Sequence, residues 1–380
     1  MDQETGNRPL AGLRVLDLTR VVSGPYCTRM LADCGAEVIK VEPPGGEHMR
    51  RKQPVRDGLS SYFGHLNVGK RSVEVDLYAP AGQRALRRLA ATCDVVVENF
   101  RPGVTAALGL DYPTLAAIRP DLVYCSISGF GQDGPRARQP AYAPVIHATC
   151  GHDLAVMQYQ RGQDRPPATG VYYADMLAGI YAFGAIQTAL LARGRSGQGE
   201  YIDVSLLDAM VNLMVPEVQE AQFAMPYPRW MFRPVRAADG FVVATPVSAR
   251  NFEQLTEVVD RPDWRQDPRF ATPTGRERHW DALMAELEAW TSQRPAAECE
   301  RLLATAGVPC ARYRTVAEAM RDPHLVERGL FRRVDDDAGG FEVPALPFRF
   351  ATVDVGVQGR VAELGADNGL LGSERAAAGE

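Results

Sequence analysis

The chain has 380 residues, 46% of them hydrophobic, with 42 basic and 47 acidic residues and a net charge of −5. That length predicts two domains, and mild acidity without a basic run argues against nucleic-acid binding. Met1 to Pro9 is polar and no apolar run reaches the roughly 18 residues of a membrane span, so neither a secretory leader nor membrane association is expected.

Seven cysteines (Cys27, Cys34, Cys93, Cys125, Cys150, Cys299 and Cys310) are scattered without a CxxC pair. They read as buried, reduced thiols of a cytoplasmic protein, with neither a metal site nor a disulfide framework. Leu13–Leu18 predicts a buried strand. Val22-Ser23-Gly24-Pro25 then opens a helix that stops at Gly35, and Glu37–Glu42 is the next strand. Strand, glycine turn, helix and strand in about thirty residues form a βαβ unit of a parallel sheet. The absence of GxGxxG weakens a dinucleotide reading.

Asp57–Gly64 reads as a loop. Lys70 and Arg71, after Gly69 and before the strand from Val73 to Leu77, are cations in a place to grip phosphate; alone they read more readily as a solvated strand end. Pro80 starts a helix, and Asp94–Glu98 is a buried strand ending in Asn99-Phe100-Arg101-Pro102-Gly103. The carboxyl end of such a strand is where open α/β sheets bind ligands. The strand Asp121–Ser128 runs into the glycine-rich loop Gly129–Pro135. Then follow Ala141–His147 and the stretch Val171–Gly184, where Asp175 stands at a loop-to-helix junction. An aspartate there is ordinarily a helix cap. Strands alternate with helices as far as Ser205, which predicts a doubly wound α/β domain.

Beyond Pro216 the texture changes. Pro226–Trp230 reads as a linker, Asp239–Ala244 as a turn and strand, and 251–259, 280–290 and 296–304 have helical spacing. The expected boundaries are 8–215 for the first part of a large domain and 216–320 for the linker and a small α/β domain. Residues 321–365 return to the large domain, and 366–380 form a flexible tail.

Several segments together resemble the family III CoA-transferases, the group that includes formyl-CoA transferase and the carnitine CoA-transferases. They are Leu10–Asp17, Gly35–Glu42, Asn67–Ser72, Glu98–Gly103, Ser126–Gly131, Ala174-Asp175 with Gly179, Gly197-Gln198-Gly199, Gly307-Val308-Pro309 and Asp322–Leu325. No single motif is decisive; their order along nearly the whole chain is. The resemblance implies a large Rossmann-like domain built from both chain ends, a smaller inserted α/β domain and an interlocked homodimer. It implies Asp175 as nucleophile, with Arg20, Val21, Val22 and Ser23 along the CoA arm. Asn67, Lys70 and Arg71 would lie near the phosphates, Asn99, Phe100 and Arg101 near adenine and sugar, and Tyr142 near the thiol. Coenzyme A would enter as part of the substrate, with no permanently bound cofactor; the partners would be an acyl-CoA donor and a carboxylic acid acceptor.

A carboxylate suits such chemistry. It attacks a thioester to give a mixed anhydride, and the freed thiolate then takes the aspartyl carbonyl, so one hard exchange becomes several easier ones. A helix N-terminus would favour the ionised form, and partial burial is expected.

The chain also departs from formyl-CoA transferase. Val22 replaces a Gln, Ala143 an acidic residue, and Pro43 and Ala107 replace CoA-binding arginines; a covering glycine-rich loop has no counterpart around 228–236. Those differences argue against formyl or oxalyl chemistry. Trp230, Phe232 and Arg233 are instead candidates for the acyl pocket, with Arg233 or Arg236 meeting an acceptor carboxylate. Transfer between two carboxylates of one dicarboxylic acid is a variant of this reading. Alternatives are a 2-methylacyl-CoA racemase, whose His-Asp pair is replaced here by Tyr142-Ala143 with His147 and His152 displaced, and a non-catalytic CoA-binding relative.

Overall fold

Runs of valine, isoleucine and leucine become the strands of a six-stranded parallel sheet. The computed structural model describes residues 8–160, 162–225, 229, 231–357 and 359–372. Contacts divide the chain into two units: residues up to Val218 with those from Glu327 onward, and Gln219–Val326.

In the larger unit the order begins β1 (Arg14–Asp17), α1 (Ser23–Asp33), β2 (Glu37–Glu42), β3 (Val55–Arg56), β4 (Leu59–Ser60) and α2 (Ser61–Asn67). It continues with β5 (Arg71–Glu74), α3 (Pro80–Ala90), β6 (Val95–Glu98), α4 (Val104–Leu108), α5 (Tyr112–Ala116) and β7 (Val123–Ser128). Then come α6 (Ala143–Cys150), α7 (His152–Tyr159), α8 (Tyr173–Ser196), β8 (Glu200–Ser205) and α9 (Leu206–Leu213). The sheet runs β5-β2-β1-β6-β7-β8, every pairing parallel. Among these six strands that is the order third, second, first, fourth, fifth, sixth, the doubly wound arrangement whose direction reverses between β1 and β6. β6 and β7 are buried along their whole length, as strands covered on both faces must be. One face packs beneath α1, α6, α8 and α9 and the other beneath α3, α4 and α5.

The expected loop over 57–64 is instead the short β3–β4 hairpin and the start of α2. The Ser60 hydroxyl accepts from the Phe63 N–H at 3.1 Å and caps that helix. A serine cap overrides the loop-like composition before it.

α8 is the core helix of this unit. By length and composition it is apolar enough to cross a membrane, contrary to expectation. Its small residues Ala174, Ala178, Gly179 and Ala182 are nevertheless buried, in a unit where it packs chiefly on α1. A β-carbon at Gly179 would lie 2.7 Å from the Ser23 carbonyl oxygen. Glycine there is what lets α8 meet the start of α1, one turn beyond Asp175.

The smaller unit has a three-stranded antiparallel sheet, β9 (Val235–Arg236), β10 (Phe241–Ala244) and β11 (Cys310–Arg312), in the order β11-β10-β9. Helices over 249–258, 280–291 and 296–305 join it around Trp264, Phe270, Trp280 and Leu287. The chain then returns to the larger unit as an antiparallel hairpin, β12 (Phe331–Asp336) and β13 (Gly339–Pro344). Val334 and Val343 of that hairpin pack with Met49, Phe63 and Val68.

Candidate active site

The switch point between β1 and β6 opens into a cleft of about 330 Å³. Arg20, Val21, Ser23, Asn99, Phe100, Arg101, Tyr142 and Asp175, eight of the residues named from the sequence, line it. They come from the β1–α1 turn, the β6–α4 turn, the approach to α6 and the first turn of α8. A second hollow of about 340 Å³ shares Arg20, Tyr78 and Phe100 and continues past Leu18, Val41 and Pro43.

The β1–α1 turn is held from both sides. Asn99 accepts the Arg20 N–H at 2.9 Å and donates to the Arg20 carbonyl at 2.7 Å. Glu47 accepts the Val21 N–H at 2.6 Å, and the Lys40 ammonium donates to the Thr19 carbonyl at 3.0 Å. These bonds fix Val21 at φ 70°, a left-handed conformation that costs a β-branched residue. The Arg20 guanidinium lies 4.6 Å from the centre of the Phe100 ring. Its stacking keeps the cation at the cleft wall.

Asp175 is the third residue of α8 and half-buried. Burial raises its carboxyl from the ordinary 3.8 to about 6. The helix N-terminus was expected to favour ionisation; desolvation is the larger effect. The carboxylate lies close enough to Tyr62 of α2 to reinforce the upward shift that burial gives that phenol. Tyr62 went unnoticed in the sequence because its segment read as a loop. Tyr78 was missed too, although the carboxyl end of β5 is a ligand-facing position.

The remaining named residues lie elsewhere. Val22 is buried at the entry to α1 rather than in the cleft wall. Lys70 is 4% exposed, and its ammonium bonds Asp17 at 2.9 Å, the Pro25 carbonyl at 3.0 Å, Thr28 at 2.8 Å and Asn67 at 2.9 Å. No ammonium hydrogen is left for a phosphate, and Asn67, also 4% exposed, accepts from Lys70 and donates to the Phe63 carbonyl at 3.0 Å. Burial lowers the Lys70 pKa to about 8 against the pull of Asp17. Burial also opposes ionisation of Asp17, but Lys70 and Lys40 outweigh it and bring that carboxyl to about 2. Arg71, exposed at the amino end of β5, pairs with Glu37 at 3.1 Å, away from the carboxyl-end cleft.

Within the smaller unit Arg233 pairs with Asp281, Phe232 meets Trp280 edge-on, and the Arg236 guanidinium lies 5.1 Å from the Phe241 ring centre. Trp230 and residues 226–228 lie outside the described residues. His147, weighed as a racemase base, is fully buried, and its Nε2 accepts the Ala174 N–H at 3.2 Å. That leaves it no access to a substrate proton.

A parallel doubly wound sheet with a carboxylate in its switch-point cleft defines a class of ligand-binding enzyme fold, and the sequence narrows it. Residues 10–368 match CoA-transferase family III, and the chain belongs to that family. It is a CoA-transferase. It is 35% identical over 358 residues to acetyl-CoA:oxalate CoA-transferase of Acetobacter aceti, covering 91% of this chain and 90% of that protein. It is also 35% identical to succinate–glutarate CoA-transferase of Agrobacterium fabrum, covering 89% and 87% respectively. The solved structure of Rv3272 from Mycobacterium tuberculosis superposes with a TM-score of 0.87 at 31% identity, covering 96% of this chain and 99% of that one.

Proposed function

We propose that the protein moves CoA from an acyl-CoA donor to a carboxylic acid through an aspartyl-CoA intermediate on Asp175. The observation that carries this reading is a half-buried carboxylate in the cleft lined by Arg20, Asn99, Phe100, Arg101 and Tyr142.

The Asp175 carboxylate attacks the donor thioester carbonyl, the C–S bond breaks, and CoA thiolate leaves a mixed anhydride. The thiolate attacks the aspartyl carbonyl and releases the donor acid, forming the aspartyl thioester. The acceptor carboxylate then attacks that thioester, and the expelled thiolate takes the new acyl group and frees Asp175. Incomplete solvation keeps the carboxylate basic enough to attack and, near neutral pH, still ionised. CoA would lie along the β1–α1 turn, with Arg20 and Arg101 supplying positive charge. Its adenine fits the hollow lined by Leu18, Val41, Pro43 and Tyr78, with Phe100 as a shared wall. The two named relatives handle oxalate and the succinate–glutarate pair. Short dicarboxylic acids, including transfer between two carboxylates of one molecule, are therefore the first acceptors to test.

The active form would be an interlocked homodimer in the cytoplasm. Exposed Ile180, Tyr181 and Leu191 on α8, with Val211, Leu213 and Val215 beyond it, give the larger unit an apolar surface that self-association would cover.

The test is mass spectrometry after incubation with a panel of acyl-CoAs and borohydride or hydroxylamine trapping. A modification mapping to Asp175, absent in Asp175→Ala, is the expected result. No adduct, together with deuterium exchange alpha to a 2-methylacyl thioester, would replace the transferase reading by the racemase.

A further inference from the structure

α8 has no side-chain cap of its own: Tyr172 at its N-cap makes no capping hydrogen bond. The orphan N–H of Ala174, the residue just before Asp175, is taken instead by His147 from α6, at 3.2 Å to Nε2. We propose that His147 is a positioning residue for Asp175, capping α8 from outside the helix. This rests on the assignment of Asp175 as the nucleophile.

The hydrogen bond fixes the imidazole's protonation. An Nε2 that accepts must carry its lone pair, so the proton of the neutral ring sits on Nδ1. His147 is 0% exposed, and its Nδ1 is buried with no hydrogen-bond partner. Burial favours the neutral ring, which is the form able to accept. The His152 and Tyr173 rings, with centroids 5.4 and 5.8 Å away, wall the imidazole in. Fixing the Ala174 amide fixes the backbone immediately before Asp175. One turn later Gly179 is pressed against the Ser23 carbonyl. The carboxylate is thus held between two clamped points of one helix, and such a support limits the displacement of a reacting group.

A metal centre is the competing reading, since His147, His152 and Asp153 offer ligand atoms within 4.8 Å of one another. Coordination through His147 Nδ1 would move the ring proton to Nε2, where it would face the Ala174 N–H. The observed bond and the metal exclude each other at that ring.

The experiment compares His147→Gln, whose carboxamide oxygen can accept, with His147→Leu, which cannot. In the leucine variant kcat is expected to fall about ten- to a hundredfold with the KM for acyl-CoA unchanged, the scale set by a small displacement of a reacting group. The Ala174 amide should exchange its hydrogen faster in that variant, and the glutamine variant should restore both readouts. If the leucine variant does not fold, His147→Met gives the same comparison. Equal kcat in the glutamine and leucine variants, or a rise in KM alone, would overturn the proposal. So would stoichiometric Zn²⁺ binding to the wild type that both variants abolish. Amide exchange reports the cap independently of turnover. An active Asp175→Ala would therefore count against the nucleophile assignment, and unchanged exchange against His147.

Discussion

The two ends of the parallel sheet use charge in opposite ways. At the amino ends of the strands arginines are neutralised locally: Arg14 and Arg71 reach Glu37 at 2.6 and 3.1 Å. Arg119 and Arg193 likewise converge on Asp94 at 2.6 and 3.3 Å. Around the carboxyl ends of β1 and β2 the pairing is internal. Lys70 meets Asp17 and Lys40 meets Glu47, both at 2.9 Å and both beneath the surface. Arg20 and Arg101 are left in the cleft wall, and among the described residues neither has a carboxylate partner. One end is therefore electrostatically closed, and the other keeps charge available for an anionic ligand. An arginine's position along a strand, rather than its residue type, decides which task it serves.

The comparison breaks most severely if the open end proves dispensable. Asp175→Ala should lower kcat by about a thousandfold or more, as removal of a covalent nucleophile does. The folded protein holds the Asp175 proton more tightly than the unfolded chain does, with a carboxyl at about 6 against 3.8. Ionised Asp175 therefore costs stability above pH 6, and the cost fades as pH falls towards 4. The alanine variant should melt about 2–4 °C higher than wild type at pH 8. That gap should narrow at pH 5, where wild-type activity should also have declined.

Lys70→Met strands Asp17 without its partner and should cost about 3–5 kcal/mol in denaturant unfolding. Arg71→Ala, at the closed end, should cost within about 0.5 kcal/mol and leave the KM for acyl-CoA unchanged. A large rise in KM for Arg71→Ala would restore it as a phosphate ligand and blur the distinction between the two ends. Gly179→Ala should destabilise by about 1–3 kcal/mol, because the added carbon meets a backbone oxygen that must move. Its kcat should fall with stability, as α8 is pushed off α1. Arg101→Ala should raise the KM for acyl-CoA about tenfold, the loss of one charge-assisted bond, with a weaker salt dependence than wild type.

Much of the sheet was legible because its strands are buried on both faces and rich in valine and isoleucine. β1, β2, β6 and β7 lie within the runs that read as strands. The turn at Asn99 was legible because strand ends in this topology carry the ligand-facing turns, whereas Arg20 and Asp175, the latter in the first turn of α8, were assigned through the family resemblance. Lys70 and Arg71 were misleading as neighbours. Residues adjacent at the entry to a strand point to opposite sides, so one turned inward to Asp17 and the other outward to Glu37. No local pattern announced that Glu47 and Lys40 would hold the β1–α1 turn, since both bonds span more than twenty positions. The His147 bond to Ala174 likewise joins two helices 27 positions apart.

Burial of Lys40 and Lys70 bears on chemical self-damage. The chain has three lysines, Lys40, Lys52 and Lys70. Acyl-CoA thioesters and mixed anhydrides acylate any neutral, reachable amine. Lys70, with its pKa near 8, would be the readiest of the three by ionisation, yet it is sealed beneath four hydrogen bonds. Lys40 is equally enclosed, and Lys52 alone is exposed. Arginine, which does not give up its proton near neutral pH, supplies the other 39 of the 42 basic residues. An enzyme that handles activated acyl groups thereby presents them with a single accessible lysine side chain.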